Sequence, residues 1–430
     1  MHRVIFLSAF LCCPAIAADP PSIEKLIEQL GSKSFPERER ATKALRVRGP
    51  AALPALRKAL ESKDEEVRKR AETLIPPLEI EEALLPKRVT LKSDKQTVAS
   101  VVQELSKQTG FKLGSPGADD RKLTLDLKDV PFWEALEQIE RQPGALNQIW
   151  NEDRTPQYSL QLKPRVGRSS NMLVRGPFRL EATWIHEDRD IDLTRADADK
   201  DNERRHPLTI AVSVHVEPRI TFLKVSPARL DEAIDSEGKS LLEPVPSKTS
   251  VPKKGAMIES ASASGRGTFR GESLTSSDIR LRRASESAKS VKLVRGVVPV
   301  KMILIRRPTV VTNKILEASG TSFRAGADSM QISRVTNQGG SFEIEIIVPR
   351  EESGNRRDWH DRFHVEDAAG NKFQRNGSGT SSDGRTYRIS MYYSPPFNKK
   401  DVGPPTKLIF EDWIIHDYEI PFEFKDIPLP

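Results

Sequence analysis

The chain has 430 residues, of which 37% are hydrophobic, 6% aromatic and 30% charged, with a formal net charge of +7 at pH 7. At about 150 residues per domain this length suggests about three domains, and the apolar content excludes a chain that is disordered throughout. The basic residues are interspersed with acidic ones. The charge therefore favours solubility, and we expect no nucleic-acid partner.

The N-terminus has the pattern of a secretory signal peptide. Arg3 precedes a short apolar stretch, and the small-residue sequence PAIA follows as a cleavage site. We therefore expect residues 1–17 to be removed and the mature protein to be exported to the periplasm or the extracellular space. Cleavage there removes Cys12 and Cys13, which excludes disulfides, thiolate zinc sites and a cysteine nucleophile. No later apolar run is long enough to predict a transmembrane segment.

Residues 22–80 are predicted to be helical and to contain an internal repeat. Apolar residues recur at helical spacing from Ile23 to Leu30, and residues 38–45 line up with residues 68–75 at a period of 30. Asp64 is expected to cap the last helix. An ordinary pair of helical hairpins explains the same pattern, so that alternative stays open.

This segment resembles a HEAT-type repeat. A basic helix that contains alanine is followed by a Gly-Pro turn and by a second helix rich in alanine and leucine. The matching residues are Arg38, Ala41, Leu45, Gly49, Ala52, Pro54, Leu56 and Leu60. The resemblance implies protein–protein contact.

Residues 88–164 alternate between strand and helix patterns in the order βαββαβ. A helix is predicted from Val98 to a stop at Gly110, and Pro131 is expected at the first position of a second helix. The sequence LTLDLKDVPFWEALEQI, with Asp129, Val130 and Pro131 at the strand–helix junction, resembles the short N-terminal domain of secretins and TonB-dependent receptors. The resemblance implies a periplasmic contact module, without a transport function.

Residues 172–430 are predicted to be all-β. Runs that begin at Phe178, Leu208, Val298, Phe342 and Tyr387 alternate between apolar and polar residues, which is typical of half-buried antiparallel strands. We expect one β-sandwich over residues 172–305, with a disordered insert at 243–290, and a second over 306–430. The fold class is thus a multidomain combination of α, α/β and all-β parts.

Two pairs of similar sequence segments suggest that this β region is duplicated. AIDSEGKSL (233–241) resembles VEDAAGNKF (365–373), and the sequence WIHED at Trp184 resembles WIIHD at Trp413. An Asp followed by Gly is turn chemistry, so we interpret both pairs as equivalent hairpins. Coincidence is the alternative. The Gly- and Ser-rich residues 376–382 are expected to form a long hairpin tip, and residues 279–281 a short strand inside the insert.

A dense acidic cluster between residues 188 and 203 is the best candidate for calcium, because hard cations take several oxygen ligands. Its members are Asp188, Asp190, Asp192, Asp197, Asp199, Asp201 and Glu203. An EF-hand loop starting at Asp197 would need Gly and Glu where Asn202 and Leu208 stand. We therefore expect a solvated loop, with calcium as the alternative.

His360 and His364 have a spacing that suits zinc on a helix. A strand is predicted there, which would place the two rings about 13 Å apart, so we expect no metal site. Glu343 and Glu345 could pass for a glycosidase pair, but neighbouring outward residues on a strand are ordinary surface. No G-x-S-x-G elbow is present.

Exposed aromatic residues could mark a carbohydrate-binding face. The candidates are Trp133, Trp150, Trp184, Trp359 and Trp413. Trp184 fits an apolar stripe and Trp133 begins a helix, so both are expected in the core, whereas Trp359 stands between Asp358 and His360 and is the best surface candidate. We expect an exported, non-catalytic protein-binding or scaffolding protein of the cell envelope, without a cofactor, whose partners are other envelope or extracellular proteins. The alternative is a secreted hydrolase or carbohydrate-binding protein that acts on polysaccharide.

Overall fold

The structure, a computed structural model, describes residues 21–114, 122–141, 159–161, 171–187, 207–242, 274–325, 328–338, 341–349, 356–397, 399 and 401–430. The chain divides into two compact units, Met1–Leu85 and Pro86–Pro430. The predicted signal peptide, the acidic loop at 188–203, Trp150 and residues 243–273 of the predicted insert lie outside the described residues. The described part is a mixed fold with few helices, mostly antiparallel sheets and β-sandwich-like parts.

The first unit is helical, as predicted. Its helices are α1 (Ile23–Gln29), α2 (Phe35–Arg48), α3 (Leu53–Ala59) and α4 (Glu65–Leu84). The Ser22 side chain accepts a hydrogen bond at the start of α1, and Asp64 accepts two at the start of α4. These caps satisfy backbone N–H groups that a helix cannot pair internally. The core is formed by one face of each helix, including Leu26, Leu45 and Leu74.

Hydrogen bonds confirm that the repeat is structural. Arg38 donates from Nη1 to the carbonyl oxygen of Ser32 at 2.7 Å, and Arg68 donates in the same way to Ser62 at 2.6 Å. Both serine hydroxyls accept from the backbone N–H two residues later, at 3.1 Å and 3.2 Å. The same turn therefore joins α1 to α2 and α3 to α4, one period apart.

The second unit begins with the predicted βαββαβ order. The elements are β1 (Arg88–Thr97), α5 (Val98–Thr109), β2 (Lys112–Gly114), β3 (Lys122–Pro131), α6 (Phe132–Glu140) and β4 (Ser159–Gln161). β1 pairs antiparallel with β3, and β2 pairs parallel with β4. Gly110 ends α5 in the left-handed region at φ +75°, as predicted. Pro131 is the N-cap of α6 and not its first helical residue.

The first β-sandwich-like part has two facing sheets. Its strands are β5 (Met172–Arg175), β6 (Phe178–Glu187), β7 (Pro207–Val216), β8 (Thr221–Val225), β9 (Arg229–Asp235), β10 (Leu274–Arg282) and β11 (Ser290–Thr312). One sheet has the order β10-β7-β6-β5, while β8 and β9 pair with β11. Phe178 of β6 stacks on Phe222 of β8 across the core.

The predicted disordered insert is too long at its C-terminal side. Residues 274–282 form β10, which pairs with β7 over its whole length, and β11 begins at Ser290. The short strand predicted at 279–281 is confirmed as part of β10. Ile279 and Leu281 are buried, and this buried face explains why a stretch rich in serine is nevertheless ordered.

The second β-sandwich-like part repeats this arrangement. Its strands are β12 (Ser322–Ala325), β13 (Asp328–Gln338), β14 (Ser341–Pro349), β15 (Phe363–Asp367), β16 (Gln374–Ser382), β17 (Thr386–Ser394) and β18 (Pro405–Pro428). One sheet has the order β12-β13-β14-β17-β16, and β15 pairs with β18. The hairpin tip predicted at 376–382 is wrong, because these residues lie in β16. At a sheet edge, glycine and serine can still pair with β17.

The two parts share their longest strands. β11 and β18 pair antiparallel from Ser290 with Pro428 to Thr312 with Leu408. The first half of β11 also pairs with β9, and the first half of β18 with β15. The predicted boundary between residues 305 and 306 therefore falls inside a continuous strand.

The first pair of similar segments, 233–241 and 365–373, is a structural repeat. Gly238 and Gly370 both have positive φ angles, 82° and 83°, which favour glycine. Asp235 and Asp367 each accept from backbone N–H groups in the turn that follows, at 2.8 Å from Lys239 and from Asn371. The strands that precede these turns, β9 and β15, also hold equivalent places beside β11 and β18.

The prediction that the segments at Trp184 and Trp413 are equivalent is wrong. Trp184 lies in β6 and is 54% exposed, whereas Trp413 lies in β18 and is 8% exposed. By sheet order, the counterpart of β6 is β13 and not β18.

Candidate functional site: the Glu411 cluster

A charged and aromatic cluster lies near the middle of the shared β11–β18 pair. Arg306 of β11 is opposite Trp413 of β18, and Glu411 lies two residues before Trp413 on the same face. The Glu411 cluster, as we call it, comprises Glu411, Arg306, His364, Trp413, Arg362, Trp359 and Thr221. It joins β8, β11, β15, β18 and the short 3-10 helix Arg356–Arg362.

The Glu411 carboxylate is the centre of this cluster. It accepts from Arg306 Nη1 at 3.0 Å and from Trp413 Nε1 at 3.1 Å, and His364 Nε2 lies 3.2 Å from its other oxygen. Burial opposes ionisation, but His364, Trp413 and Arg306 outweigh it and lower the pKa of Glu411 to about 2. A carboxylate with so low a pKa stays ionised at neutral pH, so it suits an anchor for cations and not a general acid.

Guanidinium and indole groups alternate next to Glu411. The Arg362 Cζ lies 4.7 Å from the Trp359 ring centroid and 4.9 Å from that of Trp413, and Arg306 Cζ lies 5.1 Å from Trp413. Cations over indole faces at these distances are attracted by the ring quadrupole. The four side chains therefore form one continuous cation–π stack.

Trp359, the best surface candidate among the tryptophans, is buried. Trp359 is 8% exposed, stacks on Phe410 at 6.0 Å and carries Arg362 on its ring. The polar residues beside it in the sequence indicated surface, but the 3-10 turn directs the indole toward β18. Arg306, Arg362 and Glu411 were not singled out from the sequence. The signal that was available is a Glu two residues before a Trp on one strand face, with isoleucines on either side of the pair.

His360 and His364, the two histidines with a spacing that suits zinc, contact different carboxylates. His364 contacts Glu411, while His360 Nε2 lies 3.6 Å from the Asp361 carboxylate. The residues lie on different elements, since His360 belongs to the 3-10 helix and His364 to β15. Within the described ranges, no three His, Cys, Asp or Glu side chains come together as a metal site.

Glu343 and Glu345 also have other partners. Glu345 accepts from Ser333 Oγ at 2.6 Å and from Arg388 Nη1 at 2.8 Å. Burial would raise the pKa of Glu345, but these partners and Arg334 outweigh it, and the pKa is lowered. A glycosidase acid needs the opposite shift. The environment of Glu345 is therefore that of a structural ion pair.

A second buried polar group fixes the βαββαβ module to the first sheet. Trp133 is fully buried and donates from Nε1 to the carbonyl oxygen of Pro177 at 2.9 Å, and its ring lies 6.0 Å from Arg179 Cζ. Glu217, also fully buried, accepts from the backbone N–H of Lys87 and from Arg219 Nε, both at 2.8 Å. The core position predicted for Trp133 is confirmed, whereas Glu217 was missed.

We expect the stability of the protein to depend on pH through Glu217. Burial raises its pKa against the opposing effects of Arg219 and Lys87, so the folded protein holds this proton more tightly than the unfolded chain. Glu217 thus adds stability below its unfolded pKa, and that stability is lost as the pH rises through the raised folded pKa. Urea unfolding of wild type and Glu217→Gln between about pH 4 and 8 measures this difference.

The wild-type free energy of unfolding should fall with pH more steeply than that of Glu217→Gln. The exposed Glu419 of β18, which pairs with Arg229, gives the control for replacing a carboxylate by an amide, and Glu419→Gln is measured in the same way. Parallel curves for wild type and Glu217→Gln would show that Glu217 does not titrate differently in the folded state.

An open groove of about 750 Å³ lies between the module and the first sheet. Its walls carry both acidic and basic side chains. They include Asp126, Glu134, Glu137, Arg141, Arg175 and Glu423. Glu137 pairs with Arg141, and Glu423 pairs with Lys425 at 2.7 Å. The carboxylates of Glu137 and Glu423 are thus neutralised by neighbouring cations.

No helix within the described ranges combines the length and the apolar character that a membrane crossing requires. Comparison with protein families, with curated proteins and with solved structures found no match to this chain.

Proposed function

We propose that the protein is an exported, non-catalytic binding or scaffolding protein of the cell envelope. The basic, apolar and small-residue pattern of residues 1–17 supports export to the periplasm or the extracellular space. Its partners are other envelope or extracellular proteins, because repeat segments and small mixed modules are commonly used for contact.

The helical unit is the first contact surface, and we assign it to the HEAT type. The repeated Arg–Ser bonds of its two turns support this assignment. Leu30 is fully buried, whereas Leu60, which stands in the same place one repeat later, is 38% exposed. Phe35 at the start of α2 is 60% exposed. Such apolar side chains are where a further repeat or a partner would pack.

Residues 88–164 are the second contact module, which we assign to the secretin and TonB type. The observed element order supports this assignment. Trp133 and Glu217 hold the module against the adjacent sheet, so its surface is presented in a fixed orientation.

The observation that carries the proposal is the use of the buried charges in residues 86–430. Glu411 binds groups from β11, β15 and β18, Glu217 joins the module to the first sheet, and Glu345 joins β13, β14 and β17. Each carboxylate connects different elements. Charges used in this way stiffen a scaffold, since a buried ion must keep its partners.

The experiment is capture from an envelope fraction with the mature chain, followed by binding measurements with the purified partner. We expect a protein partner whose affinity falls about tenfold or more in Phe35→Glu or Leu60→Glu, as for a hot-spot residue. Phe397→Glu is the matched control, because Phe397 is 88% exposed in the other unit. Recovery of no partner, or an equal loss in all three variants, would contradict the proposed contact surface.

A further inference from the structure

Trp184 lies on the outer face of the first four-stranded sheet and is 54% exposed. The alternation from Phe178 through Ala182 predicts that it points inward. The pairing of β6 with β7 shifts between Ala182 and Trp184, so that Trp184 is opposite Ala211. This bulge inserts one residue and transfers Trp184 to the other face.

Polar residues surround Trp184 in two cross-strand rows. The first row runs from Trp184 through Ala211 to Asp278, and the second runs from His186 through Thr209 to Arg280. Residues paired in this way have side chains on the same face, and Asp278 lies two strand spacings, about 10 Å, from Trp184. Between them is Ala211, which is 4% exposed and so adds almost no accessible apolar surface.

The Trp184 indole packs against the His186 imidazole. The rings of Trp184 and His186 meet edge to face, with centroids 6.3 Å apart. Asp278 and Arg280 are both exposed, and within the described residues neither has an ion-pair partner. The face thus combines one fixed aromatic plane with a free carboxylate and a free guanidinium of opposite charge.

We propose that this Trp184 face binds a neutral sugar ring of a polysaccharide. The C–H face of a pyranose stacks on an indole, while its hydroxyls both donate and accept hydrogen bonds. Asp278 accepts and Arg280 donates, and their charges cancel, which favours an uncharged ligand. A protein partner is disfavoured, since a stable interface needs about 800 Å² per partner and, among the described residues of these two rows, Trp184 is the one exposed apolar side chain.

The corresponding face of the second sheet provides a matched comparison. Tyr392 on β17 is 47% exposed, but its hydroxyl is used by Glu343, which is bound in turn by Thr336 and Arg334. The polar groups around Tyr392 thus bind one another. Trp184 and Tyr392 are therefore exposed aromatics on equivalent sheets, but in the described part of the chain only Trp184 has beside it a carboxylate and a guanidinium, Asp278 and Arg280, without an ion-pair partner.

The test is affinity electrophoresis of the full mature chain in gels that contain dextran, mannan, xylan or a mixed-linkage β-glucan, with acidic alginate as the charged probe. At least one neutral polysaccharide should retard the wild type, with affinity reduced about tenfold or more in Trp184→Ala. Trp184→Phe should retain part of the binding, and Asp278→Asn and Arg280→Gln should each weaken it. Tyr392→Ala should bind like the wild type.

Retardation by none of the four neutral polysaccharides, retardation by alginate alone, or equal retardation of wild type and Trp184→Ala would overturn the proposal. Equal losses in Trp184→Ala and Tyr392→Ala would do the same. The inference goes beyond the protein-binding role and does not depend on it. Phe35→Glu and Leu60→Glu should bind polysaccharide normally, so the two proposals fail separately.

Discussion

Replacing Glu411 by alanine is expected to lower the free energy of unfolding at pH 7 by about 3 kcal/mol, the lower end of the range for a broken buried ion pair. The carboxylate is 15% exposed and binds both Arg306 and Trp413. Without it, Arg306, which is 16% exposed, loses the Glu411 carboxylate while it stays packed on the Trp413 ring. Urea unfolding followed by circular dichroism measures the change.

The control lies on the same strand. Glu419 pairs with Arg229, but the two side chains are 53% and 62% exposed, so Glu419→Ala should cost about 1 kcal/mol at most. A similar loss in both variants would mean that the Glu411 cluster contributes no more than a surface ion pair.

The effect of Glu411 should also depend on pH. The pKa of Glu411 is about 2 in the folded protein, against an ordinary value of 4.5. Its contribution is therefore complete above the ordinary value and is lost as the pH falls through about 2. The difference between wild type and Glu411→Ala should shrink from pH 7 toward pH 3, measured by the same unfolding experiment. A constant difference would contradict the lowered pKa.

Replacing Trp133 by alanine should cost about 3–5 kcal/mol, as for a fully buried aromatic residue. The indole fills the space between α6 and the first sheet and donates to Pro177. Its loss leaves a cavity and removes one of the two hydrogen bonds to the Pro177 carbonyl, which also accepts from the backbone N–H of Glu217. It also exposes the buried charge of Arg179. Besides the loss of stability, hydrogen exchange should accelerate at the amides of α5 and α6.

Trp184→Ala is the control for this prediction. It removes the same side chain from an exposed position, so the free energy of unfolding should change by about 0.5 kcal/mol or less. If Trp133→Ala accelerates exchange equally throughout the second unit, then Trp133 stabilises the whole unit and not specifically the docking of the module.

Local patterns in the sequence were sufficient for much of the fold. The alternation of β14 and β17, the helical spacing of α5 and the period of the helical unit all reflect which side of an element is apolar. The Asp–Gly turns after β9 and β15 were also predicted, since an Asp side chain and a glycine at positive φ act within a few residues.

Other features depended on one unpaired residue or on distant contacts. Trp184 was expected in the core and is exposed, because a bulge turns it outward. Trp359 was the best surface candidate and is buried, because a 3-10 turn packs it against β18. The Glu411 cluster combines side chains from β8, β11, β15 and β18. No local pattern indicates that these strands meet.

Spacing along the chain was enough to predict most elements, their order and the duplicated hairpin, because each of these follows from neighbouring residues. Long-range packing sets the pairing of β11 with β18 along both sandwich-like parts, the carboxylates that are buried with cations, and the tryptophan that faces solvent. An apolar face requires burial but does not specify the surface that buries it. Pairing, register and ion pairs between distant segments are settled only when the sheets pack.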